Sequence, residues 1–283
     1  MIPTHTLRAV IYGLLIFFSV LTLIPFAYLV AGALKTKYDF AATLFLPSGD
    51  GFLGIGWDRL TLRNFGALLF DFPVPRAMLN SFFYSAVHAV GATLLCAMGG
   101  YGLTKLHFPG RSLITGVVLL SLIIPGPLLL APSFQLLYQL GLLDRYAGLI
   151  LPGLTPAFGV FLFRQAMLRG VPDELVEAAR IDGAGEIRIF LELALPLVRP
   201  MIGAFLLISF LGAWNNFIGP QIILQSPELQ PLSVALNNLR GVYGTDYGLI
   251  MAGTLVSIAP VMCLFLLLQR EFISGLTAGA VKG

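Results

Sequence analysis

Catalysis has little to work with in this sequence. It contains no Gly-x-Ser-x-Gly and no His-Glu-x-x-His, and neither His5, His88 nor His107 belongs to a pair that suggests a nucleophile with its base. The three histidines also lack ligand-like spacing; His88 sits in an apolar run, where it either packs or faces a pathway. Cys96 and Cys263 lie deep in apolar runs and read as free packing thiols, neither a disulfide framework nor a metal site. No Gly-Lys pair occurs, so there is no Walker A loop for ATP. What remains is chemistry of recognition. The segment Val171–Pro196 combines carboxylates with small apolar residues, and Trp214-Asn215-Asn216 offers an aromatic face beside two amides.

The elements that position these residues follow from composition. Of 283 residues 57% are hydrophobic and only 11% charged, with a mean hydropathy of +0.89. A soluble domain carries about 25% charged residues, so water is not the main solvent. Net charge is +3, and the basic residues are scattered rather than gathered in the stripe a nucleic-acid partner needs. Runs free of Asp, Glu, Lys and Arg cover 9–34, 77–104, 112–143, 146–163, 200–227 and 247–269. A helix of about 18 residues covers roughly 27 Å, close to the ~30 Å hydrocarbon core. Lipid satisfies no backbone amide, so the runs must be helical.

An all-α membrane protein with six transmembrane helices follows, over about 9–34, 77–104, 112–137, 146–168, 200–225 and 247–269, in a single domain, 1–283. Arg8 before the first run and Ala31-Gly32-Ala33 after it resemble a signal peptide, but 26 uncharged residues far exceed an apolar region of about 7–15, which favours a retained helix. With both termini inside, ten Lys or Arg face the cytoplasm and seven face outward, five of the ten in the 164–199 loop. Short loops weigh most, which supports N-in, C-in; Lys35 and Lys37 fall on the opposing side. Pro125, Pro127 and Pro132 in the third run and Gly219-Pro220 in the fifth predict kinks, either lining a pathway or merely tolerated.

The runs hold no ionisable carboxylate, Lys or Arg, whereas proton- and many ion-coupled carriers need buried charges. Energy, if used, must enter from outside the spans; a sugar facilitator also passes this test. The loop between spans four and five is where it could enter. Pro172 suits the first helical position, Asp173 and Glu174 complement the N-terminal dipole, and Gly183 suits a left-handed C′ position. A second short helix is predicted over roughly 185–195, with Pro196 and Pro200 bracketing the entry to span five. The first helix is too short to stand alone in water and must pack on something. Glu174 and Glu177 share a flank, while Leu175, Ala178 and Ala179 offer a close-approach surface, together a plug for a soluble partner. A helix lying on lipid would favour bulky apolar residues and a Lys/Arg-rich face instead.

Glu177-Ala178-Ala179, Gly183 and Leu193-x-Leu195-Pro196 resemble the EAA loop of binding-protein-dependent ABC importer permeases, with Leu193 where Ile is common. Phe163-Arg164-Gln165, Trp214-Asn215-Asn216-Phe217 and the tail from Gln269-Arg270 to Gly283 are similar to the smaller, maltose-type permease of the carbohydrate branch, and Asn216 stands where that group often has an acid. The resemblance covers nearly the whole chain, least over 35–76. It implies a type I importer fold in the bacterial cytoplasmic (inner) membrane, a heterodimer with a second homologous permease, two ATPase subunits that bind ATP and Mg, and an external solute-binding protein. It makes the chain a transport subunit for a di- or oligosaccharide, with no cofactor and no enzyme activity of its own. The ATPase-coupling residues it implies are Glu174, Glu177, Ala178, Ala179, Asp182, Gly183 and Pro196 in the loop 170–196, and the tail within 270–283 would reach toward the ATPase.

Trp214, Asn215 and Asn216 are candidate pathway residues, about 22 Å along the helix from Pro200 and so towards the external end. The competing reading is an interfacial Trp anchor with solvated amides. A non-ATP-coupled facilitator or channel would leave the loop without purpose, and an assembly scaffold would need no pathway.

Overall fold

The computed structural model describes residues 4–241 and 244–277, with side chains over 7–240 and 246–269. Within them the regular structure is helical apart from an isolated bridge between Ser48 and Ile55 and one short ribbon, Arg240–Gly241 antiparallel to Gly244–Thr245. The helices run α1 (Thr4–Ala33), α2 (Lys37–Ala42), α3 (Arg63–Phe70), α4 (Val74–Lys105), α5 (Arg111–Ser121), α6 (Leu130–Gln139), α7 (Tyr146–Ile150) and α8 (Ala157–Gly170). They continue as α9 (Asp173–Ile181), α10 (Glu186–Arg188), α11 (Leu195–Leu197), α12 (Arg199–Trp214), α13 (Ile218–Ile223), α14 (Leu232–Asn238) and α15 (Tyr247–Thr277).

Leu7–Ala33, Val74–Lys105 and Tyr247–Gln269 are each long and apolar enough to cross a membrane. Three bent pairs pass the same test together: Arg111–Ser121 with Gly126–Gln139 at 104°, Tyr146–Gly153 with Ala157–Gly170 at 43°, and Glu186–Leu197 with Arg199–Trp214 at 84°. Contacts group the chain into two compact units, residues 1–75 with 235–259, and residues 76–234 with 260–283.

In the first unit, α1 shows apolar side chains all round. Leu15, Phe17 and Leu23 are each more than half exposed, as suits a helix whose neighbour is hydrocarbon or another chain. Its C-terminal carbonyls, which no helical N–H can reach, are taken up by Asn64: Nδ2 donates to Ala33 O at 2.8 Å and Lys35 O at 2.9 Å. Lys35 is fully buried, donating from Nζ to Thr43 O at 2.8 Å and Leu44 O at 3.2 Å and lying 5.2 Å from the Phe40 ring centroid. Burial lowers its pKa, partly offset by Asp39, which in turn pairs with Arg59. Its ammonium is thus engaged in a local cap on the carbonyls that follow α2.

In the second unit, small residues on α4 let α8 approach closely. A Cβ on Gly100 would sit 2.7 Å from Phe163 Cβ. Phe163 and Met167 are fully buried there, and Phe163 meets Phe205 of α12 edge-on at 5.4 Å. Cys96 is buried in the same cluster, and Cys263 is exposed on α15; both are free.

Two expected spans change shape. The third breaks over Leu122–Pro125 and resumes through a 3-10 turn, Gly126–Leu129, because Pro125 and Pro127 remove donors that a continuous helix would need. The fifth, expected over 200–225, stops at Trp214. Asn216, just before the Phe217 N-cap of α13, accepts from Gly219 N–H through Oδ1 at 3.3 Å, an alternative to helix that a short amide offers its own backbone.

Candidate functional site

The loop joining α8 to α12 is held by its inner face. Pro172 is the N-cap of α9, extended at φ −61 and ψ 138, one position earlier than its sequence suggested. Asp173 and Glu174 occupy the first turn. At the far end Gly183 takes φ +81; its N–H donates to Arg180 O and the Ala184 N–H to Ala179 O, both at 3.0 Å. That pair of bonds is a Schellman cap, and its left-handed residue is why glycine stands there.

Val176 is 1% exposed and belongs to the same buried cluster as Met167, Val171, Ile189 and Phe190. Around it, polar groups tie α9 to the last turn of α4. Lys105 Nζ donates to Val171 O at 2.6 Å and pairs with Asp173. Arg180 Nε donates to Glu186 Oε1 at 2.6 Å, and its Nη2 donates to Lys105 O at 2.9 Å. The Tyr101 hydroxyl donates to Glu186 Oε2 at 2.7 Å. Lys105, by its hydrogen bond first and its charge second, holds the Asp173 carboxyl below the usual carboxylate range, and Glu186 raises the Arg180 guanidinium. A depressed carboxyl pKa stabilises the fold above the unfolded carboxylate range and ceases to do so as pH falls through the folded value, so this anchor is intact at neutral pH and fails on acidification.

Tyr101, Lys105, Arg180 and Glu186 escaped the sequence reading, because two of them lie on a helix roughly seventy residues upstream. The only available signal was a lysine closing a long apolar run, where a helix C-terminus favours positive charge. Replacing Lys105 by Met strands the Val171 carbonyl and loses the Asp173 pair, at about 1–3 kcal/mol for a buried partner left unsatisfied. Faster hydrogen exchange confined to residues 171–183 is the expected outcome. Unchanged exchange there would show that the buried cluster alone holds α9.

The outer face of α9 is left open. Glu174, Leu175, Glu177, Ala178, Ile181 and Asp182 are exposed, Ile181 to 86%, while Ala179 is half-buried. Beside it runs an open groove of about 390 Å³ lined by Asp182, Gly183, Arg188, Glu192 and Leu193. The expected second helix is α10 followed by a π-helical stretch, Ile189–Ala194, and α11. Pro196, exposed in α11, has no N–H to return to the carbonyl four residues back, and the wider π turn precedes it. Val198 then breaks the helix before α12.

Trp214, Asn215 and Asn216 differ in exposure and in partners. Trp214 is 5% exposed and stacks on Phe210 at 5.6 Å; Asn215 is exposed with Nδ2 donating to Leu211 O at 3.0 Å. The Asn216 side chain bonds both Gly219 N–H and Tyr84, and its backbone oxygen accepts from Ser233 Oγ at 2.8 Å. His88 packs: its ring fills the space a Cβ on Gly153 would need. No group of His, Cys, Asp or Glu that could hold a metal occurs among the described residues.

A mostly apolar helical chain, broken at its prolines and presenting an anchored acidic helix between two spans, is built as a transport permease rather than an enzyme. The family described as binding-protein-dependent transport system inner membrane component matches residues 89–271, and the chain belongs to that family. The arabinooligosaccharides transport system permease protein AraQ of Bacillus subtilis is 36% identical over 266 residues, 94% of this chain and 92% of that protein. AraQ of Halalkalibacterium halodurans is 41% identical over 204 residues, 72% of this chain and 73% of that one. The lactose transport system permease protein LacG of Rhizobium radiobacter is 30% identical over 278 residues, 96% and 95% of the two chains.

The fold matches a chain of a bacterial ABC transporter involved in the import of the acidic polysaccharide alginate, at a TM-score of 0.80 and 21% identity over 95% of this chain and 97% of that one. The protein is accordingly an ABC importer permease, a multi-pass inner-membrane subunit and not itself an enzyme.

Proposed function

We propose that this permease carries a sugar, a di- or oligosaccharide, inward across the cytoplasmic membrane, with α9 as the plug that a separate ATPase moves. The observation that carries the reading is the two-sided character of α9. Its inner face is fixed by Val176, Lys105 and Arg180, whereas Glu174, Glu177, Ala178 and Asp182 on its outer face are exposed. A helix gripped on one side and open on the other transmits displacement from a docked neighbour into α4, α8 and α12. Gly183 ends α9 and Pro196 lies near the end of the helical stretch that carries its motion on to α12, while Ala179 lets α9 sit close.

The assembly that fits is a heterodimer with a second homologous permease, two ATPase subunits holding ATP and Mg, and an external binding protein. Six spans with both termini in the cytoplasm would place α9 and the end of α4 on the ATPase side. A related alginate transporter has been captured with an alginate pentasaccharide-bound periplasmic protein, which supports such an external partner. The names of the AraQ and LacG relatives support an oligosaccharide cargo. Asn215, exposed near the end of α12, is the member of the Trp214-Asn215-Asn216 set best placed to meet it. The tail 270–283 lies outside the described side chains, and its proposed place is near the ATPase.

Affinity purification of the tagged chain from its native membrane tests this reading. An ATPase subunit and a second permease should accompany it, and the complex should hydrolyse ATP faster with a sugar-loaded binding protein. Recovery of a sugar-permeable chain free of any ATPase would favour the facilitator.

A further inference from the structure

The second unit also carries a basic groove that the coupling loop does not use. It is open, about 570 Å³, and lined by Arg111, Ser112, Thr115, Gly116 and Leu119 of α5 and by Arg164 of α8. Arg164 lies six residues before the end of α8, so about 9 Å inside the helix end. Its Nε is enclosed and has no hydrogen-bond partner. An ionised guanidinium at that depth is costly unless something balances it, and no carboxylate among the described residues pairs with it.

Arg111 gives one N–H to Leu106 O at 3.1 Å and keeps the rest of its fork. The hydroxyl of Thr115 is spent on Arg111 O at 2.9 Å, whereas Ser112 is exposed. Gly110, the N-cap of α5, supplies no side-chain acceptor, so the positive end of the helix stays open beside the two arginines. Asp173, whose carboxyl lies within the field of Arg111, is already paired with Lys105.

We infer that this groove binds a phosphate, and that the phosphate belongs to the headgroup of an anionic phospholipid in the leaflet facing the coupling loop. Two guanidiniums, a free hydroxyl and an open helix N-terminus form an anion cradle, and arginine forks match phosphate oxygens two at a time. The groove's other end favours a lipid over a free ion. Past the arginines it continues along Gly116, where an added Cβ would meet nothing within 4 Å, to Leu119, which is 43% exposed. A polar mouth leading into an apolar channel fits a headgroup followed by an acyl chain, the arrangement expected of basic pockets between spans. The leaflet rests on the orientation proposed above; the phosphate chemistry does not.

The test is native mass spectrometry of the full-length chain, with whatever subunits accompany it, in detergent doped with phosphatidylglycerol or phosphatidylcholine. Wild type should retain phosphatidylglycerol in preference. The double variant Arg111→Gln and Arg164→Gln should lower that retention about tenfold, the scale of losing charge-assisted hydrogen bonds, and leave phosphatidylcholine unchanged. Arg164→Lys should keep part of it. Gly116→Leu, which fills the apolar channel and spares both arginines, should also lower it; full retention by that variant, with loss only in the arginine variants and displacement by millimolar inorganic phosphate, would overturn the lipid assignment in favour of a free ion. Unchanged phosphatidylglycerol retention in the double variant would overturn the site itself. Co-purification of the ATPase is scored in the same spectra, so failure of the groove and failure of the transport reading are separable.

Discussion

Glu177→Lys abolishes sugar-stimulated ATP hydrolysis and uptake while the chain still inserts and purifies as a monodisperse complex component. The expectation rests on where the charge sits. Glu177 is exposed on the outer face of α9 and adds to the field at Arg180, one turn away. Reversing it places a like charge beside that arginine, which costs a helix about 0.2–0.5 kcal/mol and removes none of the anchoring hydrogen bonds. At a docked interface, by contrast, loss of one partner of a desolvated charge pair costs on the order of 2–5 kcal/mol. Folding therefore survives where coupling does not. Assays of the reconstituted complex for ATP hydrolysis and labelled-sugar uptake check it; wild-type transport by the variant would remove Glu177 from the docking face.

Gly183→Val should have an effect of the same order by a different route. At φ +81 a β-branched residue is strained by about 1–3 kcal/mol, and the Schellman bonds to Arg180 and Ala179 weaken with it. Crowding within the chain is not the cause, since an added Cβ meets nothing within 4 Å. Gly183→Asn separates conformation from contact, because asparagine tolerates the left-handed region. ATPase co-purification and uptake should fall sharply in the valine variant and largely persist in the asparagine variant. Equal behaviour of the two would show that backbone conformation at 183 is not what seats the helix.

How far the sequence speaks for this architecture depends on whether the information is local. The charge-free runs, the acidic first turn of α9 and the left-handed glycine at 183 are written in adjacent residues and could be read directly. The 104° break after α5 was legible only as three prolines, since proline shows where a donor is missing and not where the chain turns next. The early end of α12 was hidden because Asn216 could equally have been a solvated amide. Its bond to Gly219 N–H is a choice between two local conformations that the surrounding fold decides. Trp214, read as a sugar platform or interfacial anchor, is buried against Phe210, a partner one turn away in the same apolar run. The anchors Tyr101 and Lys105 were invisible because their partners are distant in sequence, and a single sequence carries no pairing information across that distance.

The reading as a whole turns on which compartment α9 faces and what lies against it. Ala178→Cys, introduced into a chain whose Cys96 and Cys263 have been replaced, can be probed with a membrane-impermeant maleimide and with a short thiol cross-linker in the assembled complex. The account predicts that position 178 is labelled only from the cytoplasmic side, and that it cross-links to the ATPase subunit with a yield that changes when ATP is added. Labelling from outside intact cells, or a cross-link yield to the ATPase no greater than that of a residue on α1, would contradict it.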